Sequence, residues 1–193
     1  MRRRIVLFMS VSVDGYFEGP DHDLGWQLID DEVHAHMNRE LVRMGGFLSG
    51  RRTHELMAAF WPTADRDPAA AGPVAEFAEI WRTMPKTVFS RTLDHADWNT
   101  TVVREVTPGT VAALAAGPGG NLALGGADLA ASFLAQDLID EFRLLVHPVV
   151  LGGGTLLFRP TDRPVPLTPV ETHRFTNGVT LLRYARSGPS PLD

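Results

Sequence analysis

The chain has 193 residues, 44% of them apolar and 21% charged, with a net charge of −5. That is long enough to bury a core, too apolar for disorder, and too acidic for a protein whose main partner is nucleic acid, which wants a basic face. The absence of cysteine excludes disulfides, thiolate zinc sites, cysteine nucleophiles and the cysteine-ligated zinc of nucleobase deaminases.

Arg2-Arg3-Arg4 followed by Ile5 to Val13 imitates a signal peptide. Ser10 and Ser12 interrupt the run, Asp14-Gly15 ends it, and no small-residue cleavage site follows. Ile5-Val6-Leu7-Phe8-Met9 therefore reads as a central strand covered on both faces, and the cytoplasm is the expected location. No apolar run approaches the ~20 residues of a membrane helix. A loop is expected from Gly15 to about Leu28.

Asp30-Asp31-Glu32 opens a helix whose stripe is Val33, Met37, Leu41 and Met44, and Gly45-Gly46 closes it. Phe47-Leu48-Ser49 is a short buried strand. Arg51 to Trp61 is a second helix, with Leu56, Met57 and Phe60 predicted inward, stopped by Pro62. Residues 63–72 read as an exposed loop. Val74, Phe77, Trp81 and Met84 then mark a third helix before Pro85.

Strands are predicted over Thr87–Ser90 and Thr100–Val106, then a short helix over Thr110–Ala116 and a strand over Asn121–Leu124. Gly125-Gly126 leads into a helix to about Gln136. Phe142 to Leu151 is a long apolar strand ended by three glycines. Strands at about 165–175 and 178–186 flank Asn177-Gly178, a strong hairpin signal. Residues 187–193 read as a loose tail. Helices alternate with strands until the hairpin, which predicts one α/β domain over residues 1–193 with a mostly parallel mixed sheet and an antiparallel edge.

In such sheets ligands bind beyond the carboxyl ends of the strands. Gly50-Arg51-Arg52-Thr53 and Gly125-Gly126-Ala127-Asp128 each follow a strand and start a helix, and Ser90-Arg91-Thr92 follows another strand. Helix N-termini with small or hydroxyl residues suit phosphate, and nearby arginines would complete a polyphosphate site. Each signal alone is also an ordinary turn. There is no GxGxxG after the first strand and no P-loop.

The order and spacing of these pieces resemble the dihydrofolate reductase superfamily, in particular the branch of the riboflavin-biosynthesis reductase domain. The marks are Ser12-Val13-Asp14-Gly15, Gly50-Arg51-Arg52-Thr53, Val88-Phe89-Ser90-Arg91, Gly125-Gly126-Ala127-Asp128-Leu129, Leu138-Ile139-Asp140-Glu141 and His147-Pro148-Val149-Val150-Leu151-Gly152-Gly153-Gly154. The runs at 138–141 and 148–154 favour the riboflavin-type branch. The resemblance, covering Ile5 to about Arg186, implies a three-layer α/β/α domain around an eight-stranded mixed sheet.

It also implies NADPH as hydride donor. Gly50, Arg51 and Thr53 would meet phosphates at their helix start. Ser90 and Arg91 would hold the 2′-phosphate that NADH lacks. Gly125, Gly126, Ala127 and Asp128 would cradle the pyrophosphate, with Leu129 beginning the helix behind it, and Val11 and Ser12 would lie along the nicotinamide. The substrate would be a small heteroaromatic or carbonyl compound. Reduction of a phosphoribosylamino-uracil, the riboflavin-pathway step, is less favoured, because the chain lacks that pathway's deaminase domain.

Asp14 and Asp31 are candidates to manage the proton, although Asp14-Gly15 is also a turn pair and Asp31 also complements a helix dipole. Trp26, Phe60 and Trp61 are candidate pocket walls. His34 and His36, two apart on one helix, cannot form a metal pair, His147 reads as a hydrogen-bonded core residue, and no metal is expected. A homodimer is expected from the resemblance, with neither nucleic acid nor membrane as partner. Two alternatives stay open: a catalytically silent ligand-binding homo-oligomer, and a reductase using NADH or a flavin.

Overall fold

A computed structural model describes residues 2–67, 70, 72–161, 163–188 and 190–192. Its centre is β1 (Ile5–Ser12), where Ile5, Val6 and Leu7 are all fully buried. A continuous apolar run has this fate when both faces of the sheet are covered. The other strands of the main sheet are β3 (Gly46–Gly50), β4 (Lys86–Phe89), β5 (Thr100–Val103), β6 (Leu122–Leu124), β7 (Glu141–His147), β9 (Leu167–Arg174) and β10 (Thr180–Arg186). They lie in the order β5-β4-β3-β6-β1-β7-β10-β9. The six from β5 to β7 are parallel, and β10 runs antiparallel between β7 and β9.

The helices α1 (Asp31–Leu41), α2 (Arg51–Phe60) and α3 (Pro73–Thr83) cover one face. There Leu41, Phe77, Ile80 and Trp81 bury Val6, with Met57 and Ala58 alongside. On the other face α4 (Pro108–Ala115) and α5 (Ala127–Ala135) supply Val111 and Phe133, which pack on Ile5, Leu7 and Phe142. This is the three-layer α/β/α arrangement expected, closed by the antiparallel hairpin.

Several boundaries differ from expectation. The segment after Gly15 holds β2 (Tyr16–Glu18), paired with β8 (Thr155–Leu156) in a small second sheet. Three residues are too few for alternation to register. The strand expected to reach Leu151 stops at His147, because Pro148 has no N–H to continue the ladder. Leu56 and Phe60 do not face inward: they are 57% and 56% exposed, while His54, Met57, Ala58 and Trp61 form the packed side of α2. The tail is not loose throughout, since Ser187 N–H donates to Pro166 O (3.0 Å) and Leu192 packs against the core. Positions 189 and 193 of that tail, and 68, 69 and 71 of the loop expected over 63–72, lie outside the described residues.

Candidate active site

Parallel strands end on the same edge of a sheet, so the turns after β1, β3, β4 and β6 meet there. Gly50, the last residue of β3, is the register partner of Phe89 in β4, which brings Arg51 beside Ser90-Arg91. Gly126 precedes α5 with φ +91° and no side chain caps that helix. A Cβ on Gly126 would stand 2.6 Å from Thr53 Oγ1, so only a bare backbone fits between the two helix starts. Gly125 is held by its N–H to Leu48 O (2.9 Å), and Ala127 and Leu129 are buried behind it. The first-turn N–H groups of α5 have no partner four residues earlier in the helix. Together they make a cradle of uncapped backbone donors, the kind of environment that favours an anion.

At the mouth of this cradle Arg51 reaches Glu55 (3.6 Å), and Arg91 is exposed. Ser90 is buried, and its Oγ accepts the N–H groups of Leu93 (3.0 Å) and Thr92 (3.3 Å), which leaves its own proton free to donate. The Asp128 carboxylate pairs with Arg159, a cation that sequence reading did not single out because it lies 31 residues further on.

Beyond the cradle lies the end of β1. Val11 is buried with Ala127, Leu144 and Leu157, so the expected nicotinamide wall and the phosphate cradle share one cluster. Ser12 Oγ–H donates to Asp14 Oδ1 (2.7 Å) and accepts from Tyr16 N–H (2.9 Å). Asp14 also accepts from Leu151 N–H (3.1 Å) and Gly152 N–H (2.7 Å). These hydrogen bonds, led by that of Ser12, pull its pKa down to about 2. The carboxylate is a clamp on the 148–154 segment, and it carries no proton to give at neutral pH.

A second carboxylate repeats the device. Glu18 in β2 accepts from His22 Nδ1 and Thr155 Oγ1 (2.7 Å each). Burial works to raise its pKa, but these hydrogen bonds and the charges of His22 and Arg52 outweigh it and hold it below the usual range. Gly154 makes the close approach possible, since a Cβ there would stand 2.1 Å from Glu18 O.

The first turn of α1 divides its three carboxylates. Asp30 Oδ1 caps the helix by accepting from Val33 N–H (3.0 Å), and Glu32 accepts from Thr176 N–H (3.0 Å). Asp31 is exposed and close enough to His34 to interact electrostatically. His34 lies against Trp61 (ring centroids 5.9 Å), which in turn packs on Phe60 (4.9 Å) and Phe77 (4.4 Å). His36 instead stacks on His173 (5.9 Å), so the two histidines serve different surroundings.

Trp26 goes elsewhere, edge-on to His147 (5.3 Å). His147 is fully buried and its Nδ1 accepts from Leu28 N–H (3.0 Å), while Asn177 donates to Leu28 O (3.1 Å). Burial pushes its pKa down to about 4, so the ring is neutral and Nε2 carries the proton, with no partner among the described residues. The hydrogen-bonded core histidine that the sequence suggested is thus half satisfied, and it anchors the 24–30 segment that Trp26 belongs to. A cavity of about 200 Å³ lies between the second half of α5 and Arg159, Pro160, Thr161, Arg163 and Val165.

Residues 3–181 match the sequence model of the RibD C-terminal domain family. YyaP of Bacillus subtilis (strain 168), described as uncharacterized, is 32% identical over 191 residues, covering 97% of each chain. Two solved structures below 25% identity show the likeness of fold. One is a Thermotoga maritima diaminohydroxyphosphoribosylaminopyrimidine deaminase/5-amino-6-(5-phosphoribosylamino)uracil reductase (TM-score 0.66, 14% identity, 96% of this chain and 57% of that one). The other is dihydrofolate reductase from Enterococcus faecalis complexed with NADP(H) (TM-score 0.66, 15% identity, 97% of this chain and 100% of that one).

Proposed function

The chain belongs to the RibD C-terminal domain family, a reductase-type fold, and from that premise we propose that it is an NADPH-dependent reductase of a small heteroaromatic or carbonyl compound. The observation that carries this reading is the contact of Thr53 with Gly126 across two uncapped helix starts, next to the arginines that follow β3 and β4. Thr53, Gly125, Gly126, Ala127 and Asp128 would hold the pyrophosphate, with Leu129 behind it. Gly50, Arg51, Ser90 and Arg91 would take the phosphates nearer the β3–β4 side, the last two the 2′-phosphate.

The bound cofactor supplies a hydride. The chain's own contribution is to orient the ring along Val11 and Ser12, to keep water away from it, and to manage one proton. Asp14 is better suited to holding the 148–154 segment against β1, as its three hydrogen bonds argue. Asp31, which is exposed, or a water it orders, keeps the proton role. Phe60 and Trp61 would border the substrate, and Trp26, edge-on to His147, would stand apart from them.

Thermal shift tests the cofactor. A ligand at 100 times its Kd stabilises a fold by about 2.7 kcal/mol. NADPH is expected to raise the melting temperature more than NADH or flavin mononucleotide does. A shift with only NADH or flavin would transfer the site to that cofactor, and no shift with any would favour a silent binding protein.

The quaternary reading is a homodimer joined along β9. Among the described residues only one edge of β9 is paired, by β10, and all eight of its residues are exposed, Val170 by 53%. An antiparallel self-pairing centred between Thr172 and His173 would set Glu171 of each copy opposite Arg174 of the other. The expected location stays the cytoplasm. Among the described residues no helix is long and apolar enough to cross a membrane.

A further inference from the structure

The two ends of the cleft differ in charge. Between Arg4 and Arg39 the sequence has no lysine or arginine, and it carries seven carboxylates: Asp14, Glu18, Asp21, Asp23, Asp30, Asp31 and Glu32. That segment supplies the end of β1, the 24–30 segment and the first turn of α1, which lie on the substrate side of the proposed site. The cofactor side carries Arg51, Arg52 and Arg91, all exposed. Arg52 marks the divide, since its charge is felt by Glu18.

The α2 helix connects the two ends. At 100° per residue Thr53, Leu56 and Phe60 fall within about 60° of one another, with Thr53 at the border of the packed side formed by His54, Met57, Ala58 and Trp61 and the other two turned away from it. Thr53 touches the cradle at Gly126, so the same stripe continues from it into two apolar side chains each more than half exposed. Phe60 ends beside Trp61, which reaches His34 and through it Asp31. Large apolar groups left open beside a proposed reaction centre mark a surface meant for a planar ligand. After Arg52 the sequence offers α2 no further lysine or arginine before Arg66.

We propose that the substrate is a neutral or cationic planar compound without a phosphate or carboxylate, seated over Leu56 and Phe60 with its exposed end facing the carboxylates of α1. This deepens the reductase reading and rests on it. It separates the protein from a reductase of phosphoribosylated pyrimidines, because a phosphate ester at this end would meet a carboxylate field and no arginine fork.

Riboflavin and flavin mononucleotide share one ring system and differ by a phosphate, which makes them matched probes. NADP+ is titrated first, and its binding reports on the cofactor reading alone. Both flavins are then titrated into the NADP+-saturated protein by fluorescence quenching, or into the free protein should NADP+ fail to bind. Riboflavin is expected to bind at least tenfold more tightly than the mononucleotide, with the gap narrowing at high salt. Asp31→Arg should shrink that gap several-fold, and Phe60→Ala should weaken riboflavin several-fold. Equal or tighter binding of the mononucleotide overturns the proposal. So does failure of both flavins to bind, or a riboflavin affinity indifferent to Phe60→Ala.

Discussion

Gly126 and Thr53 oppose each other so closely that a methyl group on the glycine would lie 2.6 Å from the threonine hydroxyl oxygen. Gly126 also holds φ at +91°, a conformation that side chains rarely adopt. Gly126→Ala should therefore destabilise the fold by about 1–3 kcal/mol and weaken NADPH. Adding Thr53→Ala removes the steric part and leaves the backbone part. Denaturant melts of the two variants would show partial recovery in the double variant. Complete recovery would mean that backbone strain is unimportant there.

Arg91 follows β4 with its guanidinium exposed, and its proposed partner is a phosphate monoester present in NADPH and absent from NADH. Charge-assisted hydrogen bonds contribute about 1.5–3 kcal/mol. Arg91→Ala is accordingly expected to weaken NADPH by tenfold or more and to leave NADH nearly unchanged, read by calorimetric titration. An equal loss for both cofactors would take the 2′-phosphate away from Arg91.

The sheet and the glycine-led helix starts were legible in the sequence for a physical reason. Ile5–Leu7 is a continuous apolar run, and Gly-Gly before a helix is a local signal. The structure departs from the sequence reading where long-range pairing decides. β2 exists because Tyr16 and Glu18 find Leu156 and Thr155 almost 140 residues away. Arg159 meets Asp128 in the same manner. Leu56 and Phe60 misled because apolar spacing on a helix normally means core, and here the apolar face is turned outward. Asp14 was legible as a special residue, but its three donors come from β1 and from Leu151 and Gly152, so its character as a clamp was not.

That clamp has a pH signature. The Asp14 pKa is about 2 in the folded chain against an ordinary 3.8. A carboxylate with a depressed folded-state pKa contributes stability above its unfolded pKa and loses it as pH falls through the folded value. Asp14→Asn should melt earlier than the parent at neutral pH, with the difference closing between about pH 4 and 2. Turnover should fall while cofactor affinity holds. A difference in melting that stays constant down to pH 2 would refute the clamp.

Along β9 the exposed Val170 stands on an edge whose outer hydrogen-bonding groups face solvent. Val170→Lys places a charge at the margin of the proposed self-pairing, opposite position 175 of the other copy, and charge on an edge strand is a common way for sheet edges to resist association. Light scattering should find a dimer for the parent chain and a shift toward monomer for the variant. A monomeric parent, or a variant that stays fully dimeric, would remove β9 as the interface.

His147 gives a pH dependence of the same sign as Asp14 but at higher pH, because folding lowers the pKa of both groups. It is fully buried, and burial lowers its pKa from 6.5 to about 4. Between those values the unfolded chain binds the proton and the folded chain does not, so stability must fall as pH drops from about 6.5 to 4 and level off below. Protonation would also put a hydrogen on Nδ1, where Leu28 N–H now donates, and the 24–30 segment carrying Trp26 would lose one of the two side chains that hold Leu28. His147→Gln should flatten the dependence in this window, since an amide does not titrate. Limited proteolysis of the parent should meanwhile become faster within residues 24–30 as pH approaches 4. A parent and variant with parallel stability profiles from pH 7 to 4 would show that His147 titrates as it does in the unfolded chain, and its role in fastening Trp26 over the end of β7 would then have to be abandoned.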